Sequence, residues 1–309
     1  MIEGRDFAAA TTIGARCRQE DDWGVHVQPP ALEKGALLLA GVADGMGGMP
    51  AGDRASDVAI RTFFDSYSLI SQPARGRLRR ALAHANREVG IVVEAEPDLA
   101  GMGCTLVVVL FFNDRAEWLS IGDSLILRWR ADGLKRINPL HTYGNELDVQ
   151  VKRGEISADS AREHPDRAAL TSAIQGTVLE EVAQGELDVA LGDIVILASD
   201  GLASLDDQEI ESICAARVDG EEPAARIATT LIGRIEARAR PGQDNATVVV
   251  VRIGGDKLGP VDSRMAEHAS RRKSSEGEAA DRQGRASGFG KRVESRRLVS
   301  EEDPSGSTA

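Results

Sequence analysis

Short apolar stretches of this chain repeatedly begin or end on an aspartate set beside glycine or asparagine. Residues 37–43 run into Asp44-Gly45, 194–198 run into Ser199-Asp200-Gly201, and Asp244-Asn245 opens the run 246–251. Gly122-Asp123-Ser124 separates two further runs, and Glu20-Asp21-Asp22 precedes the one through Val25 and Val27. Singly, Asp-Gly and Asp-Asn are turn dipeptides, because Gly and Asn tolerate positive φ and Asp closes an Asx-turn. Jointly they place carboxylates on rigid strand ends, with glycine allowing close backbone approach. A hard divalent cation requires such a set: Mg²⁺ and Mn²⁺ take oxygen ligands, and Mg²⁺ keeps several waters and uses few carboxylates.

The runs themselves are short, rich in Val, Ile and Leu, and bounded by turn residues, which predicts strands at 22–28, 36–43, 105–112, 116–121, 125–130, 186–190, 194–199 and 246–253. Between them lie stretches of helical spacing. Leu78, Leu82, Ala85, Val89 and Val92 form one stripe, and Ala224, Ile227, Ala228, Leu231, Ile232 and Ile235 form a second, opened by Pro223 at a first-turn position. A weaker one runs over 206–214, with Asp206 as its N-cap. Helices grouped two before the central strands and two after most of them predict an α+β β-sandwich covered by helices, not an alternating parallel sheet.

Composition excludes several roles. Lys+Arg 37 against Asp+Glu 49 gives a net charge of −12, which repels nucleic acid and anionic lipid. The greasiest run, 104–112, is half the length a membrane helix requires, and the N-terminus has no apolar signal region, so a cytoplasmic location is expected. Cys17, Cys104 and Cys214 show no CxxC spacing and are expected to be reduced, buried thiols. From Gly255 to Ala309 the chain is nearly charge-balanced, rich in Ser, Gly and ionic residues, with Phe289 as its one aromatic. Such a segment buries too little apolar area to offset its ordering entropy, so residues 1–254 are expected to form the folded domain and 255–309 a disordered tail.

Other chemistries fail. There is no GxSxG nucleophile elbow and no GxxxxGK[ST] loop, and Pro50 stands where a dinucleotide-binding glycine would be. The five histidines form no HxxxH or HxH pair, so zinc is not supported.

The ordered set resembles the bacterial branch of the PP2C (PPM) family of metal-dependent protein serine/threonine phosphatases. The matching stretches are Gly14-Ala15-Arg16…Glu20-Asp21, Ala43-Asp44-Gly45-Met46-Gly47-Gly48…Gly52…Ala55-Ser56, Gly101-Met102-Gly103-Cys104-Thr105-Leu106 and Ile121-Gly122-Asp123-Ser124. Leu170-Thr171-Ser172-Ala173-Ile174-Gln175-Gly176, Gly192-Asp193…Leu197-Ala198-Ser199-Asp200-Gly201-Leu202 and Asp244-Asn245-Ala246-Thr247 complete the series, over about residues 6–253. Each motif is weak alone, and seven in family order are strong.

The resemblance implies a four-layer αββα sandwich, two central antiparallel sheets flanked by helix pairs, with a binuclear Mn²⁺ or Mg²⁺ centre at one end. Asp44 would bridge both ions, the Gly45 carbonyl would bind one, and Asp200 and Asp244 would hold the other. Glu20 and Asp21 would act near the metals through water, Asp123 would help hold a third, weaker ion, and Arg16 would grip the substrate phosphate. Two such ions lower the pKa of a shared water and clamp attacking and leaving oxygens, so hydrolysis would be direct. A guanidinium fork suits a tetrahedral phosphate. The implied partners are phosphorylated proteins, a Ser/Thr kinase or its substrates among them, for a monomeric enzyme. The competing reading is a catalytically weak, metal-binding phosphoprotein-binding module, against which the retention of all four metal-facing aspartates and Arg16 speaks. Departures from the family pattern are Gln19 for Asn, Leu125 for Arg, and Met46 where many eukaryotic members carry histidine. The polar stretch 138–166, with His141, Thr142, Tyr143, Gly144 and Asn145 at its start, resembles a flap that lies beside the active site and influences substrate choice.

Overall fold

All six side chains of Leu106–Phe111 are buried, which a strand achieves only when a layer covers each of its faces. The computed structural model supplies both layers. It describes residues 1–27, 38–46, 51–69, 76–112, 115–216 and 221–254. The tail expected at 255–309 lies outside the described residues, as do Gln28, the first two residues of the strand expected at 36–43, and Gly47-Gly48.

In chain order, β1 (Phe7–Thr12), β2 (Asp21–Val27) and β3 (Leu38–Asp44) precede two long helices, α1 (Gly52–Leu69) and α2 (Arg77–Ala95). β4 (Leu106–Phe111), β5 (Arg115–Ile121), β6 (Leu125–Arg130) and β7 (Gly133–Arg136) follow, then α3 (Tyr143–Arg153) and α4 (Ala158–Arg162). β8 (Ala183–Asp188), β9 (Ile194–Ala198), α5 (Asp207–Ala215), α6 (Pro223–Ala237) and β10 (Ala246–Arg252) complete the order. The strands form two five-stranded sheets, β1-β10-β9-β6-β7 and β2-β3-β4-β5-β8. Every pairing is antiparallel.

Strand alternation sorts the core into three sheets of contact. In β4, Val108 and Leu110 meet Val58, Phe63, Tyr67, Leu82 and Val89 of α1 and α2. Val107, Val109 and Phe111 point the other way, into a layer shared with Val195 and Leu197 of β9 and Val249 and Val251 of β10. Ile196, Val248 and Val250 turn outward again onto Ile227, Leu231 and Ile235 of α6. The result is helix–sheet–sheet–helix, as expected. Truncating one of these fully buried residues, Leu110→Ala for instance, costs about 2–5 kcal/mol, from lost transfer energy and the cavity left behind.

Local signals behave as the residues dictate. Asp206 accepts from Glu209 N–H at 2.9 Å while Glu209 Oε2 accepts from Asp206 N–H at 3.0 Å, a full capping box opening α5. Pro223 occupies the first turn of α6. The strand expected at 186–190 instead spans Ala183–Asp188. Asp193 Oδ2 draws Ala190 N–H into a turn at 2.8 Å, which ends the strand early, while Gly185 lets the Trp118 indole lie against the ladder. The polar stretch 138–166 carries α3 and α4, capped by Thr142 and Ser157. β1 and β7 also add to the strands read from sequence. Cys104 and Cys214 are buried, but Cys17 is exposed. It sits in a loop anchored through its backbone carbonyls, so its side chain has no packing role to fill. Among the described residues no helix is long and apolar enough to cross a membrane.

Candidate functional site

The turn Gly122-Asp123-Ser124 carries the chain from β5 in one sheet to β6 in the other. Asp44 closes β3, and Asp21, which opens β2, is its direct partner across the ladder. Asp200 follows β9 and Asp244 precedes β10, so both sheets deliver acids to the same end of the sandwich.

Backbone contacts around Asp44 are tight. Thr105 N–H donates to Asp44 O at 2.9 Å, Gly45 N–H to Glu20 O at 3.0 Å, and Met46 N–H to Gly103 O at 2.9 Å. A Cβ on Gly45 would stand 2.3 Å from Gly52 O and 2.6 Å from Glu20 O, so only glycine lets these segments meet. Gly201 has the same constraint, a Cβ there standing 2.0 Å from Asn245 O. Met46 lays its methyl group over Gly103.

Four buried polar side chains that sequence reasoning gave no role, Thr105, Ser124, Ser199 and Asn245, hold the acids in place. Thr105 Oγ1 accepts from Asp44 N–H at 3.1 Å and shares a hydrogen bond with Ser124 Oγ at 2.6 Å, tying the Asp44 strand end to the Asp123 turn. Ser199 Oγ donates to Asp21 Oδ2 at 2.7 Å and accepts from Thr247 N–H at 2.9 Å. Asn245 spends its whole amide on the loop before β2: Oδ1 accepts from Glu20 N–H at 2.8 Å, and Nδ2 donates to Ile13 O at 2.8 Å and Arg18 O at 2.9 Å. Gln19 keeps an amide's function, donating to Thr11 Oγ1 at 2.6 Å and accepting from Asp21 N–H at 3.1 Å.

The electrostatics are those of acids in want of a cation. Burial, then Asp21, Asp200, Asp123 and Asp244 in turn, push the Asp44 carboxyl well above the usual carboxylate range. Burial, with Asp200 and Asp244 adding, pushes Asp21 up to about 6 despite the Ser199 hydroxyl. Burial and then Asp200 push Asp123 up to about 6. Asp200, facing the mouth, is raised by the surrounding protein and by Asp244. Glu20 rises through burial and Asp53. Asp21 Oδ1 is buried without a hydrogen-bond partner. At the rim, Arg16 Nη2 lies 2.6 Å from Asp244 Oδ2, with both side chains about two-fifths exposed (43% and 39%). Arg16 thus neutralises one acid of the set.

These residues fit a hard divalent cation. The donors are carboxylates and a carbonyl, the buried Asp21 oxygen lacks a partner, and four neighbouring aspartates raise the Asp44 carboxyl. Among the described residues no three acidic, histidine or cysteine side chains close on one point as a ready cage. The chemistry suits ions that use few carboxylates and keep water in their shell.

The chain is similar to proteins already known. The family profile "Protein phosphatase 2C" matches residues 17–231. The chain is 31% identical over 242 residues to the serine/threonine phosphatase stp of Listeria innocua, covering 76% of this chain and 90% of that one. The crystal structure of the serine/threonine phosphatase PstP/Ppp of Mycobacterium tuberculosis matches with a TM-score of 0.66 at 30% identity, over 81% of this chain and 98% of that one. A structure of the PstP catalytic domain in complex with two manganese ions matches with a TM-score of 0.63 at 29% identity, over 80% and 96% of the two chains.

Proposed function

The chain belongs to the protein phosphatase 2C family, and we propose that it hydrolyses phosphoserine and phosphothreonine in proteins using Mn²⁺ or Mg²⁺. The observation that carries this reading is the gathering of Asp21, Asp44, Asp123, Asp200 and Asp244 at one end of the sandwich, where burial and neighbouring acids raise the Asp44, Asp21 and Asp123 carboxyls and Arg16 stands at the rim. Asp44, the Gly45 carbonyl, Asp200 and Asp244 would hold two ions, and Asp123 a third, weaker one. When bound, such a pair lowers the pKa of a water and neutralises charge developing on the phosphoryl oxygens.

The chain's own residues supply the rest. Arg16 exchanges Asp244 for the phosphate, offering two parallel N–H donors to a tetrahedral oxyanion. Asp244, no longer paired with Arg16, would be available to hold an ion. Thr105, Ser124, Ser199 and Asn245 fix the carboxylates so that little reorganisation is needed when substrate arrives. Cys104 and Cys214 are poor nucleophiles. Burial pushes the Cys214 thiol up to about 12 and Cys104 higher still.

The physiological setting we infer is a cytoplasmic, monomeric enzyme opposing a Ser/Thr kinase, with residues 1–254 as the phosphatase unit and 138–166 as a flap influencing substrate choice. Phosphate release from a phosphothreonine peptide, with Mn²⁺ and again with excess chelator, tests the reaction. Turnover that survives the chelator would overturn it. A chain ending at Gly254 should match the full chain in aryl phosphate turnover and melting temperature; failure to fold would relocate the domain boundary.

A further inference from the structure

A groove of about 540 Å³ opens beside the acid cluster, between the segment that carries Arg16 and the C-terminal end of α6. Its walls include Ile13, Gly14 and Ala15 on one side, Glu236, Arg240 and Pro241 on the other. Gln243 closes it, one residue before Asp244. The groove therefore adjoins both partners of the Arg16–Asp244 pair. Its size falls within the roughly 300–1,000 Å³ of ordinary ligand sites, enough for a stretch of polypeptide and too large for an ion or a single water.

Three observations give it a chemistry. Ile13 is 44% exposed, although it stands between the core strand β1 and the site loop. An apolar side chain held open at that place has surface to offer a partner. Arg240 is exposed and its guanidinium has no ion pair or hydrogen bond among the described residues. Between them Ala239 holds a positive φ of 44° without being glycine, secured by its N–H to Glu236 O at 3.0 Å. That conformation costs free energy and sets the path of the Arg240-Pro241 wall.

We propose that this groove takes the segment of the phosphoprotein flanking its phosphorylated residue, with an apolar side chain on Ile13 and Pro241 and an acidic one facing Arg240. The proposal rests on the phosphatase reading above. Substrate of that class is a polypeptide, and the chain on one side of a phosphate gripped by Arg16 must run across the surface next to Arg16. The groove is lined by Ala15 and Gln243, the chain neighbours of Arg16 and Asp244, and no covalent step is involved. Arg240 lies outside the acid cluster, so it acts on affinity for the peptide and not on the phosphoryl group.

The test uses the full chain with Mn²⁺ and three substrates: a phosphothreonine peptide flanked by leucine and glutamate, the same peptide with lysine for glutamate, and para-nitrophenyl phosphate. Arg240→Glu should raise KM for the glutamate peptide about 5- to 10-fold, as an exposed pair turned into a repulsion does, and reverse the preference between the two peptides. Ile13→Ala, which leaves the backbone carbonyl and adds no charge, should raise KM for both peptides. Neither change should alter kcat or KM for para-nitrophenyl phosphate, which is too small to reach the groove. Fluorescence anisotropy of the labelled peptides on each variant scores docking independently of turnover. If wild-type protein binds the peptides selectively but releases no phosphate, the phosphatase reading fails and the groove stands. If all three substrates change together, or the peptides do not distinguish the variants from wild type, the groove is not a substrate site.

Discussion

β9 has an aspartate at each end, and the two are treated in opposite ways. Asp193, immediately before the strand, is 1% exposed and fully matched: Arg130 Nε and Nη2 each donate to it at 2.7 Å, and Ala190 N–H donates at 2.8 Å. Burial alone would raise it, but the Arg130 hydrogen bonds and the Ala190 N–H hold it below the usual carboxylate range. Asp200, two residues past the other end, is pushed up by burial and by Asp244. Behind it, Asp21 keeps a buried oxygen with no partner. The same residue type on the same strand is framework where its charge is matched and a binding site where it is not. What separates them is the partner, since both ends are rigid and both are set by short turns.

The comparison can be broken most decisively at the unmatched end. Asp44→Asn should cut Mn²⁺-supported turnover by more than about 100-fold, since even outer-shell losses around a metal cost 10- to 100-fold. Without metal, the same variant should melt at or above the wild-type temperature, because a charge repelled by its neighbours has been removed. A lower melting temperature in chelator would make Asp44 framework after all. Arg16→Ala should lower kcat/KM on the order of 10- to 150-fold, or roughly 1.5–3 kcal/mol of charge-assisted hydrogen bonding, with Mn²⁺ affinity by calorimetry unchanged or tighter. Unaltered kinetics would remove Arg16 from phosphate binding.

At the matched end the signs invert. Asp193→Asn should leave kcat and KM near wild type and lower unfolding free energy by about 1–3 kcal/mol in urea titration, as a buried acceptor set is weakened and Arg130 loses its pair. A selective loss of activity would contradict the division. The smallest effect is in pH. Asp21 and Asp123, raised to about 6, bind protons in the folded chain before the unfolded one does, so the chelated protein should gain stability as pH falls from 7 toward about 5. Asp193 contributes in the other direction: its stabilisation is present above the unfolded value of about 4 and is lost as pH falls through its depressed folded value. A melting temperature in chelator that rises by about 2–4 °C and then falls would resolve the two ends in one titration. Saturating Mn²⁺ should abolish the rise.

Much of this was written locally. β3, β4, β9 and β10 are continuous apolar runs, and the acids that end β3, follow β9 and precede β10 are visible in the chain at once. The sandwich follows because such runs need cover on both faces. β1 was less legible: Phe-Ala-Ala-Ala-Thr-Thr has little side-chain bulk, and its strand state comes from pairing with β10, from Phe7 opposite Val251 to Thr12 opposite Ala246. β7, Gly-Leu-Lys-Arg, lies at a sheet edge with no fully buried residue and so shows no apolar pattern. Of the candidate site, the acids and Arg16 could be named, but not what holds them. Asn245 works on carbonyls 232 and 227 residues away, and Thr105 on a hydroxyl 19 residues away. A turn asparagine and a threonine just before a strand look ordinary until the chain closes.

The turn from β5 to β6 crosses from one sheet to the other, and the acids around it come from both. A divalent ion settling among Asp44, Asp200 and Asp244 would therefore act as a rivet through the open edge of the sandwich, resisting any sliding of one sheet over its neighbour. Loading should be felt as mechanical stiffness well beyond the ligands. Amide hydrogen exchange at Ala43 in β3 and Thr247 in β10 should slow together on adding Mn²⁺, while exchange at Asp193 and Arg130, at the far end of β9 and β6, stays as it was. Slowing confined to one sheet would mean the ion fastens nothing across the seam.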